Sequence, residues 1–156
     1  MIYQLTEKTE LKIFQKIVDI HRLCISQSNA PFYPPEVIEE WLKEVNVEDT
    51  IGQLQYTKWI ALEKDNNIVG FAQYSLPDRE LYQIQIDPNI QRMGYGKELY
   101  EYIEEDFKKN NIKEMESYSV LNAIEFYKSL GFKKKRKIFF PLKRTKTELE
   151  VMTKKL

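Results

Sequence analysis

The chain has 156 residues, of which 42% are hydrophobic and 31% are charged, with equal numbers of acidic and basic side chains. This length suits a single domain with an ordinary buried core, so we expect residues 1–156 to form one domain. No segment approaches the roughly 20 apolar residues of a membrane-spanning helix, and the N-terminus lacks the regions of a signal peptide. These features predict a cytosolic protein without a membrane partner.

The charges are distributed unevenly along the chain. Residues 128–156 contain eleven Lys or Arg and two Glu, so this segment is basic and the preceding residues are acidic by the same amount. A basic end suits an anionic cofactor or nucleic acid, whereas an acidic remainder suits a cationic substrate such as an amine. We interpret the run KKKRK at 133–137 as a solvated strand edge or loop, because no aromatic side chains interleave it.

The first third of the chain predicts two helices. Apolar side chains recur at helical spacing from Leu11 to Ile25, and YPPEVIEEWLKEV at 33–45 places prolines before a second helix. The first helix carries the only histidine, His21, and the only cysteine, Cys24. Both lie within the apolar pattern and neither has a metal-ligand spacing around it. They predict structural side chains and no metal site.

The hydrophobic period then changes to that of strands. WIALE (59–63) and IVGFAQYSL (68–76) form a predicted hairpin around KDNN, and RELYQIQI (79–86) predicts a third strand after a Pro-Asp turn. A helix with Leu99, Ile103 and Phe107 on one side is expected to end near residues 110–111.

The rest of the chain alternates between the hydrophobic period of strands and that of helices. KEMESYS (113–119) predicts a strand, and NAIEFYKSLGF (122–132) predicts a short helix that ends at Gly131. KIFF (137–140) and LEVMT (149–153) predict the last two strands. This order of elements predicts an α/β fold with a mixed, largely antiparallel sheet flanked by helices.

Gly94 and Gly96 lie between the strand that ends near Ile86 and the helix that opens near Lys97. Loop N–H groups and the helix N-terminus converge there, and glycine lets the backbone approach a phosphate closely. Both an anion-binding loop and a helix cap without a ligand fit this pattern. A Rossmann loop is disfavoured because Leu99 stands at the third glycine position, and a Walker A loop lacks its Gly-Lys-Ser/Thr.

Two sequence blocks resemble the GNAT superfamily of N-acetyltransferases. The segment IQIDPNIQRMGYGKEL resembles the pyrophosphate-binding motif Q/R-x-x-G-x-G/A through Gln91, Gly94 and Gly96. The segment NAIEFYKSLGF resembles the later A-x-x-F-Y-x-x-x-G-F segment through Ala123, Phe126, Tyr127, Gly131 and Phe132. The resemblance covers most of the chain from about Trp59 onward. It implies a GNAT-like sheet whose central strands splay apart around acetyl-CoA.

The resemblance also implies which residues hold the cosubstrate. The strand Ile84, Gln85 and Ile86 would bind the pantetheine arm through its backbone. The pyrophosphate would lie in the loop formed by Gln91, Arg92, Met93, Gly94, Tyr95 and Gly96. Lys97 either adds a charge there or is a solvated lysine of the first helical turn. Many members carry an asparagine where this chain has Val120, and Asn122 is the candidate replacement for that CoA contact.

For catalysis, the resemblance implies direct transfer of the acetyl group without an acyl-enzyme. Tyr127 matches the family tyrosine near the sulfur and is the candidate acid. Glu80 matches the strand glutamate that acts as a base in some members, and ordered water is the alternative. Tyr82, on the same strand face, and Tyr33 are the candidate acceptor-binding residues.

The predicted function is an acetyl-CoA-dependent N-acetyltransferase that acts on a primary amine of a small molecule or of a protein. Four acidic side chains near the presumed pocket favour a cationic acceptor: Glu36, Glu39, Glu40 and Glu44. The alternative is a non-catalytic acyl-CoA-binding regulatory module. A nucleic-acid-binding domain ranks below both, so no nucleic-acid partner is expected. A homodimer that pairs exposed final strands is left open.

Overall fold

The computed structural model describes residues 1–156, which form five α-helices around one seven-stranded sheet. The helices are α1 (Leu11–Leu23), α2 (Pro35–Glu44), α3 (Val47–Gln53), α4 (Tyr95–Lys109) and α5 (Ile124–Ser129). The strands are β1 (Ile2–Gln4), β2 (Lys58–Lys64), β3 (Asn67–Ser75), β4 (Glu80–Ile86), β5 (Glu114–Ser119), β6 (Lys133–Pro141) and β7 (Lys146–Lys155). None of the helices combines the length and apolar character needed to cross a membrane. The cytosolic location stays a prediction.

The strand order in the sheet is β1-β2-β3-β4-β5-β7-β6. All neighbouring strands are antiparallel except β4 and β5, which are parallel. The predicted mixed, largely antiparallel sheet is therefore confirmed. Strands β4 and β5 pair only where Glu80 faces Glu116 and Leu81 faces Ser117. Beyond these positions the two strands separate, which confirms the predicted splay at the centre of the sheet.

A β-bulge in β4 lies where the splay begins. Gln73 of β3 pairs with Gln83 and the next residue, Tyr74, pairs with Leu81, so Tyr82 is an extra residue without a partner on β3. A bulge bends its strand and re-aims the side chains around it. From Gln83 to Ile86, β4 pairs with β3 on one side and with no strand on the other. The fold thus leaves a backbone edge open inside the molecule.

The sheet carries one hydrophobic cluster on each face. Strand β2 contributes Ile60 and Leu62 to the cluster under α4 and α5, and Trp59 and Ala61 to the cluster under α1. Both faces of β2 and β3 are covered, so their sequences are nearly continuous apolar runs rather than alternating ones. Strands β2 and β3 are therefore packed on both faces, and β4 and β5 separate next to them.

Helix α1 does not stop where the sequence predicted. It passes into a π-helical turn, Cys24–Asn29. Two short elements were not predicted. Strand β1 has only three residues, too few for a visible period, and α3 follows Asn46, whose side chain caps the helix by accepting a bond from the N–H of Asp49 at 2.8 Å.

The C-terminal strands differ from prediction in their positions within the sheet. The final strand, β7, lies between β5 and β6, so the expectation of an exposed final strand is wrong. The edge strand at this end of the sheet is β6, which is longer than KIFF and includes the whole KKKRK run as exposed side chains. Lys135 and Arg136 form ion pairs with Glu116, and Lys137 with Glu148. The run is thus a solvated strand edge, as the sequence predicted.

Candidate active site

Two cavities meet where β4 and β5 separate. The first, of about 400 Å³, is bordered by the glycine loop and the start of α4, and we call it the glycine-loop cavity. The second, of about 1150 Å³, lies between the sheet, α2, α3 and the β6–β7 connection, and we call it the acidic cavity. Gln85 and Val120 border both cavities. A molecule in one cavity therefore lies close to a molecule in the other.

Both motif glycines have a structural requirement in the loop. Gly94 is the N-cap of α4 and has φ of +82°, in the left-handed region that glycine adopts without strain. A Cβ on Gly96 would lie 3.2 Å from the ring of Phe126, so this position must be small for α5 to pack here. No side chain caps α4, so its first N–H groups remain available to a ligand at the cavity wall.

The end of β4 is fixed by two contacts to one carbonyl. Gln91 Nε2 and Cys24 Sγ each lie 3.2 Å from the carbonyl oxygen of Ile86, to which they donate. Burial, reinforced by the charge of Asp87, raises the pKa of the Cys24 thiol to about 12, so it stays protonated. The prediction of a buried structural thiol is confirmed, because Cys24 is only 2% exposed. Its side chain also forms part of the cavity wall.

Most of the predicted cofactor residues line the glycine-loop cavity. These are Ile84, Gln85, Ile86, Gln91, Arg92, Gly94, Tyr95, Gly96, Lys97 and Asn122. Met93 does not line it and is 65% exposed to solvent. Lys97 is solvated and lies 3.8 Å from Glu101. The cavity thus combines an open backbone edge, an uncapped helix N-terminus and two cations, which suit a ligand with an amide-bearing arm and a phosphate group.

The acidic cavity has carboxylates on one wall and aromatic rings on others. Glu44 comes from the end of α2, and Glu48 and Asp49 come from the start of α3. The only Lys or Arg in its lining is Lys143. The aromatic rings are Trp41, Tyr56, Tyr82, Tyr118 and Phe140. Carboxylates attract a cation, and aromatic faces stabilise one further.

Only one of the four acidic residues predicted at this rim lines the acidic cavity, namely Glu44. Glu40 instead accepts bonds from the N–H groups of Arg144 and Thr145, at 2.9 and 2.6 Å, and from the Thr145 hydroxyl. These bonds, the hydroxyl first, lower the pKa of Glu40. Glu48 and Asp49 were not predicted at this rim, although an asparagine with acidic residues two and three positions after it is a sequence signal for the start of a helix.

Glu80 lines neither cavity, but one hydroxyl connects it to the acidic cavity. The Tyr118 hydroxyl donates to Glu80 Oε1 at 2.8 Å, and Tyr118 itself lines the cavity. Tyr82 stacks on Tyr118, with ring centroids 5.6 Å apart and 7° between planes. Burial, followed by the bond to Glu80, raises the pKa of Tyr118 to about 12. Tyr118 therefore keeps its proton at neutral pH.

His21 lines the acidic cavity, with its ring 5.7 Å from that of Phe71 in an edge-on contact. Burial alone lowers its pKa to about 4, so the imidazole is neutral at physiological pH. Tyr33 lines neither cavity. Its hydroxyl donates to the carbonyl of Glu148 at 2.7 Å and accepts from the N–H of Leu121 at 3.0 Å. Tyr33 thus joins the N-terminal helices to the loop after β5.

Tyr127 is 2% exposed and also lines neither cavity. Its ring packs edge-on against Phe126 and Phe132, at 5.3 and 5.5 Å between centroids. Burial is the only cause that raises the pKa of its hydroxyl, so the group is protonated. Asn122, in the loop before α5, donates from Nδ2 to Asn29 Oδ1 at 3.1 Å.

A mixed sheet splayed around an open strand edge, with a glycine loop at the following helix, defines the class of CoA-dependent acyltransferases. Residues 16–132 match the acetyltransferase (GNAT) family, and the chain belongs to that family. The predicted family, the predicted fold and the enzyme class, an N-acetyltransferase that uses acetyl-CoA, are confirmed at the level of the family.

Three known proteins are similar to the chain in sequence or in fold. GCN5-related N-acetyltransferase 1, chloroplastic, of Arabidopsis thaliana is 31% identical over 85 residues, which cover 51% of this chain and 43% of the plant protein. A GCN5-related N-acetyltransferase from Rhodopseudomonas palustris superimposes with a TM-score of 0.89 at 19% identity, over 100% of this chain and 95% of the other. PaiA N-acetyltransferase from Thermoplasma acidophilum, solved in complex with coenzyme A, gives 0.76 at 21% identity, over 100% and 99%.

Proposed function

We propose that this protein transfers the acetyl group of acetyl-CoA to a primary amine that carries a positive charge. The observation that carries the proposal is the meeting of the two cavities at Gln85 and Val120. The glycine-loop cavity suits the anionic cosubstrate, and the acidic cavity suits a cation. The position of their junction sets the point at which the two substrates would react.

The chain's own groups would hold acetyl-CoA in the glycine-loop cavity. The uncapped N-terminus of α4 and the charge of Arg92 favour the pyrophosphate. The open edge of β4 would pair with the amides of the pantetheine arm, as a neighbouring strand does. Acetyl-CoA supplies an acetyl group on a thiolate leaving group, so transfer breaks a C–S bond and forms a C–N bond.

Three proton transfers balance this exchange. The ammonium form of the acceptor loses one proton before attack, its nitrogen loses a second as the amide forms, and the CoA thiolate takes one up, so that one proton in all is released. Glu80 would accept the first proton through Tyr118, a residue that lines the acidic cavity and whose hydroxyl donates to Glu80 at 2.8 Å. Ordered water is the alternative acceptor. Tyr127 would supply the proton that the thiolate takes up and would be reprotonated by the second proton that the nitrogen loses. Its ring packs on that of Phe126, which lines the glycine-loop cavity, with 5.3 Å between centroids.

The acceptor would bind between the carboxylates of Glu44, Glu48 and Asp49 and the stacked rings of Tyr82 and Tyr118. A cation held on this wall is drawn by unlike charge and is also stabilised by the aromatic faces. Both a small-molecule amine and a protein lysine or N-terminus carry this charge.

The test is thiol release from acetyl-CoA with four acceptors: butylamine, 1,4-diaminobutane, a peptide with one free lysine, and aniline, which is uncharged at neutral pH. We expect turnover with at least one charged amine and none with aniline. Thermal shift with acetyl-CoA and CoA accompanies the assay, because a ligand that binds only the native state raises its melting temperature.

Each result has a distinct meaning. Stabilisation by acetyl-CoA without turnover of any amine would favour the alternative, a non-catalytic acyl-CoA-binding regulatory module. No stabilisation by either CoA species would contradict the proposed function outright. Equal turnover of aniline and the charged amines would leave the transferase intact but overturn the cationic acceptor.

A further inference from the structure

Four glutamine side chains form a hydrogen-bonded row on the sheet, which we call the glutamine ladder. They are Gln53 of α3, Gln73 of β3, and Gln83 and Gln85 of β4. Gln73 and Gln83 lie opposite each other in the pairing of β3 with β4, and Gln85 follows two residues later on the same face. Starting from Gln85, each Nε2 donates to the Oε1 of the next glutamine toward α3, at 3.1, 2.8 and 2.9 Å. The ladder thus connects the junction of the two cavities to α3.

The direction of these bonds is set at the α3 end. The indole N–H of Trp59 donates to Thr57 Oγ1 at 3.1 Å, and the Thr57 hydroxyl donates to the carbonyl oxygen of Gln53 at 3.1 Å. Because an indole N–H only donates and a hydroxyl has one hydrogen, Thr57 Oγ1 accepts from Gln73. Gln73 therefore presents its Nε2 to Thr57, at 3.1 Å, and each later amide follows the same direction. The ladder consequently ends at Gln85 in an oxygen.

The free end of the ladder is Oε1 of Gln85, a half-buried residue that borders both cavities. No group of the protein donates to this oxygen, and it is not one of the buried unpartnered atoms, so a ligand can reach it. The bond from Gln85 Nε2 to Gln83 fixes the orientation of the amide. The junction therefore offers one preorganised, uncharged hydrogen-bond acceptor.

We infer that Gln85 Oε1 accepts a hydrogen bond from the reacting amine and positions its nitrogen at the junction, which rests on the proposed transfer from acetyl-CoA to an amine. The lone pair of the amine is needed for attack, so the nitrogen offers the protein only N–H donors, which match an acceptor. The nitrogen becomes positively charged as it attacks the thioester carbon, and its bond to a fixed carbonyl oxygen strengthens with that charge. Gln73 and Gln83 act through Gln85 as positioning residues.

The junction carries an amide where a carboxylate would oppose the reaction. A carboxylate beside the nitrogen stabilises the ammonium form, which has no lone pair for attack. The charged groups that attract the acceptor, Glu44, Glu48 and Asp49, come from α2 and α3. Gln85 thus contacts the nitrogen without holding its proton in place, and the proton is left to the route proposed through Tyr118.

The test is thiol release from acetyl-CoA with the best charged amine of the panel, measured for Gln85→Met and Gln85→Glu. Methionine keeps the length of the side chain without the acceptor oxygen. We expect it to lower kcat/KM for the amine at least about tenfold, as for a lost hydrogen bond to a charged group, and to leave KM for acetyl-CoA within about twofold of wild type. Glutamate keeps an acceptor oxygen, so KM for the amine should not rise, whereas kcat should fall because the ammonium form is stabilised.

A double-mutant cycle tests whether the ladder acts through Gln85. Gln73→Met interrupts the ladder and should lower kcat/KM for the amine by about threefold in wild type, but should have no further effect in the Gln85→Met background. If Gln73→Met does not fold, Thr57→Val takes its place, since it removes the hydroxyl that sets the direction of the bonds. The matched control is Gln55→Met, just after α3 and outside both cavities and the ladder, which should change no kinetic constant.

Unchanged kcat/KM in Gln85→Met would overturn the inference. So would an equal rise of KM for the amine in both variants of Gln85, because the shape of the side chain rather than its oxygen would then matter. A rise of KM for acetyl-CoA alone would assign the side chain to the cosubstrate, and additive losses in the cycle would overturn the role of the ladder. Each of these results leaves the proposed function standing. If the wild-type protein turns over no charged amine, the proposed function itself fails, and the role of Gln85 with it.

Discussion

The two cavities are built in different ways. The glycine-loop cavity draws most of its lining from one continuous stretch, β4, the loop and the start of α4, and its ligand groups are largely backbone. The acidic cavity draws side chains from α1, α2, α3, β4, β5 and the β6–β7 region. A backbone site tolerates variation of its side chains but not of its glycines, whereas a site of assembled side chains can change its ligand one residue at a time. The contrast suits an enzyme family that shares one cosubstrate.

The largest effect is expected from Gly94→Glu, which attacks the backbone site directly. Its carboxylate would meet the pyrophosphate, and a non-glycine residue at φ of +82° adds about 1–2 kcal/mol of strain. We expect the Kd for acetyl-CoA to rise at least about 100-fold, measured by calorimetric titration.

Two matched controls separate charge from strain. Gly94→Asn keeps a residue that tolerates the left-handed region and adds no charge, so it should cost far less. Met93→Glu adds the same charge one residue away, on a side chain that does not line the cavity. Equal losses for Met93→Glu and Gly94→Glu would contradict the assignment of the anion site to the backbone of the loop.

A smaller effect is expected from Glu44→Gln with Glu48→Gln, which alters only the assembled site. We expect KM for the best charged amine of the panel to rise about tenfold, with KM for acetyl-CoA unchanged. The difference from wild type should shrink in high salt, because these carboxylates are solvated and screening weakens their attraction.

The matched control for this pair is Glu36→Gln with Glu39→Gln, on the same helix α2 but outside both cavities. It removes the same number of charges. If the control raises KM for the amine as much as the cavity pair does, the effect belongs to the overall charge of the protein, and the acidic cavity loses its role as the acceptor site.

The smallest effect concerns His21, at the edge of the acidic cavity. The pKa of His21 is lowered to about 4 in the folded protein and is about 6.5 in the unfolded chain. Between about pH 4 and pH 6.5 the imidazole is therefore protonated in the unfolded chain and neutral in the folded protein. Stability contributed by the neutral imidazole is therefore complete above about pH 6.5 and is lost as the pH falls toward 4. We expect the free energy of unfolding, measured with urea, to fall by about 1–3 kcal/mol more for wild type than for His21→Gln as the pH is lowered through this window. Parallel curves for the two proteins would show that His21 is not desolvated.

The glycine loop could be located from the sequence because its signals are local. Gly94, Gly96 and the start of α4 are adjacent in the sequence. Gly94 is required by its left-handed backbone conformation, and Gly96 by its close contact with the ring of Phe126. The order of strands and helices followed from the change of hydrophobic period. The splay itself came from the family resemblance, since the bulge at Tyr82 leaves no mark in the period of β4.

The acidic cavity was harder to predict because it depends on contacts between distant residues. Glu40 and Glu44 share one helix, but Glu40 binds Arg144 and Thr145 and does not line the acidic cavity, a tertiary contact that the helix sequence alone does not reveal. The same holds for Tyr33, whose hydroxyl is taken up by Glu148 and Leu121. The π-helical turn that ends at Asn29 also has no local signal, since its pairing with Asn122 appears only in the folded chain.

The basic edge of β6 has a consequence for how copies of the protein meet in solution. An exposed strand edge can recruit another strand through its free N–H and C=O groups, but here five successive Lys and Arg side chains stand along it. Two copies that approach edge to edge bring like charges together, and Glu116 and Glu148 offset only part of that repulsion. Ionic strength is therefore expected to govern self-association at this edge. In dilute buffer the repulsion between the two β6 strands should prevent pairing, and added salt should weaken that repulsion.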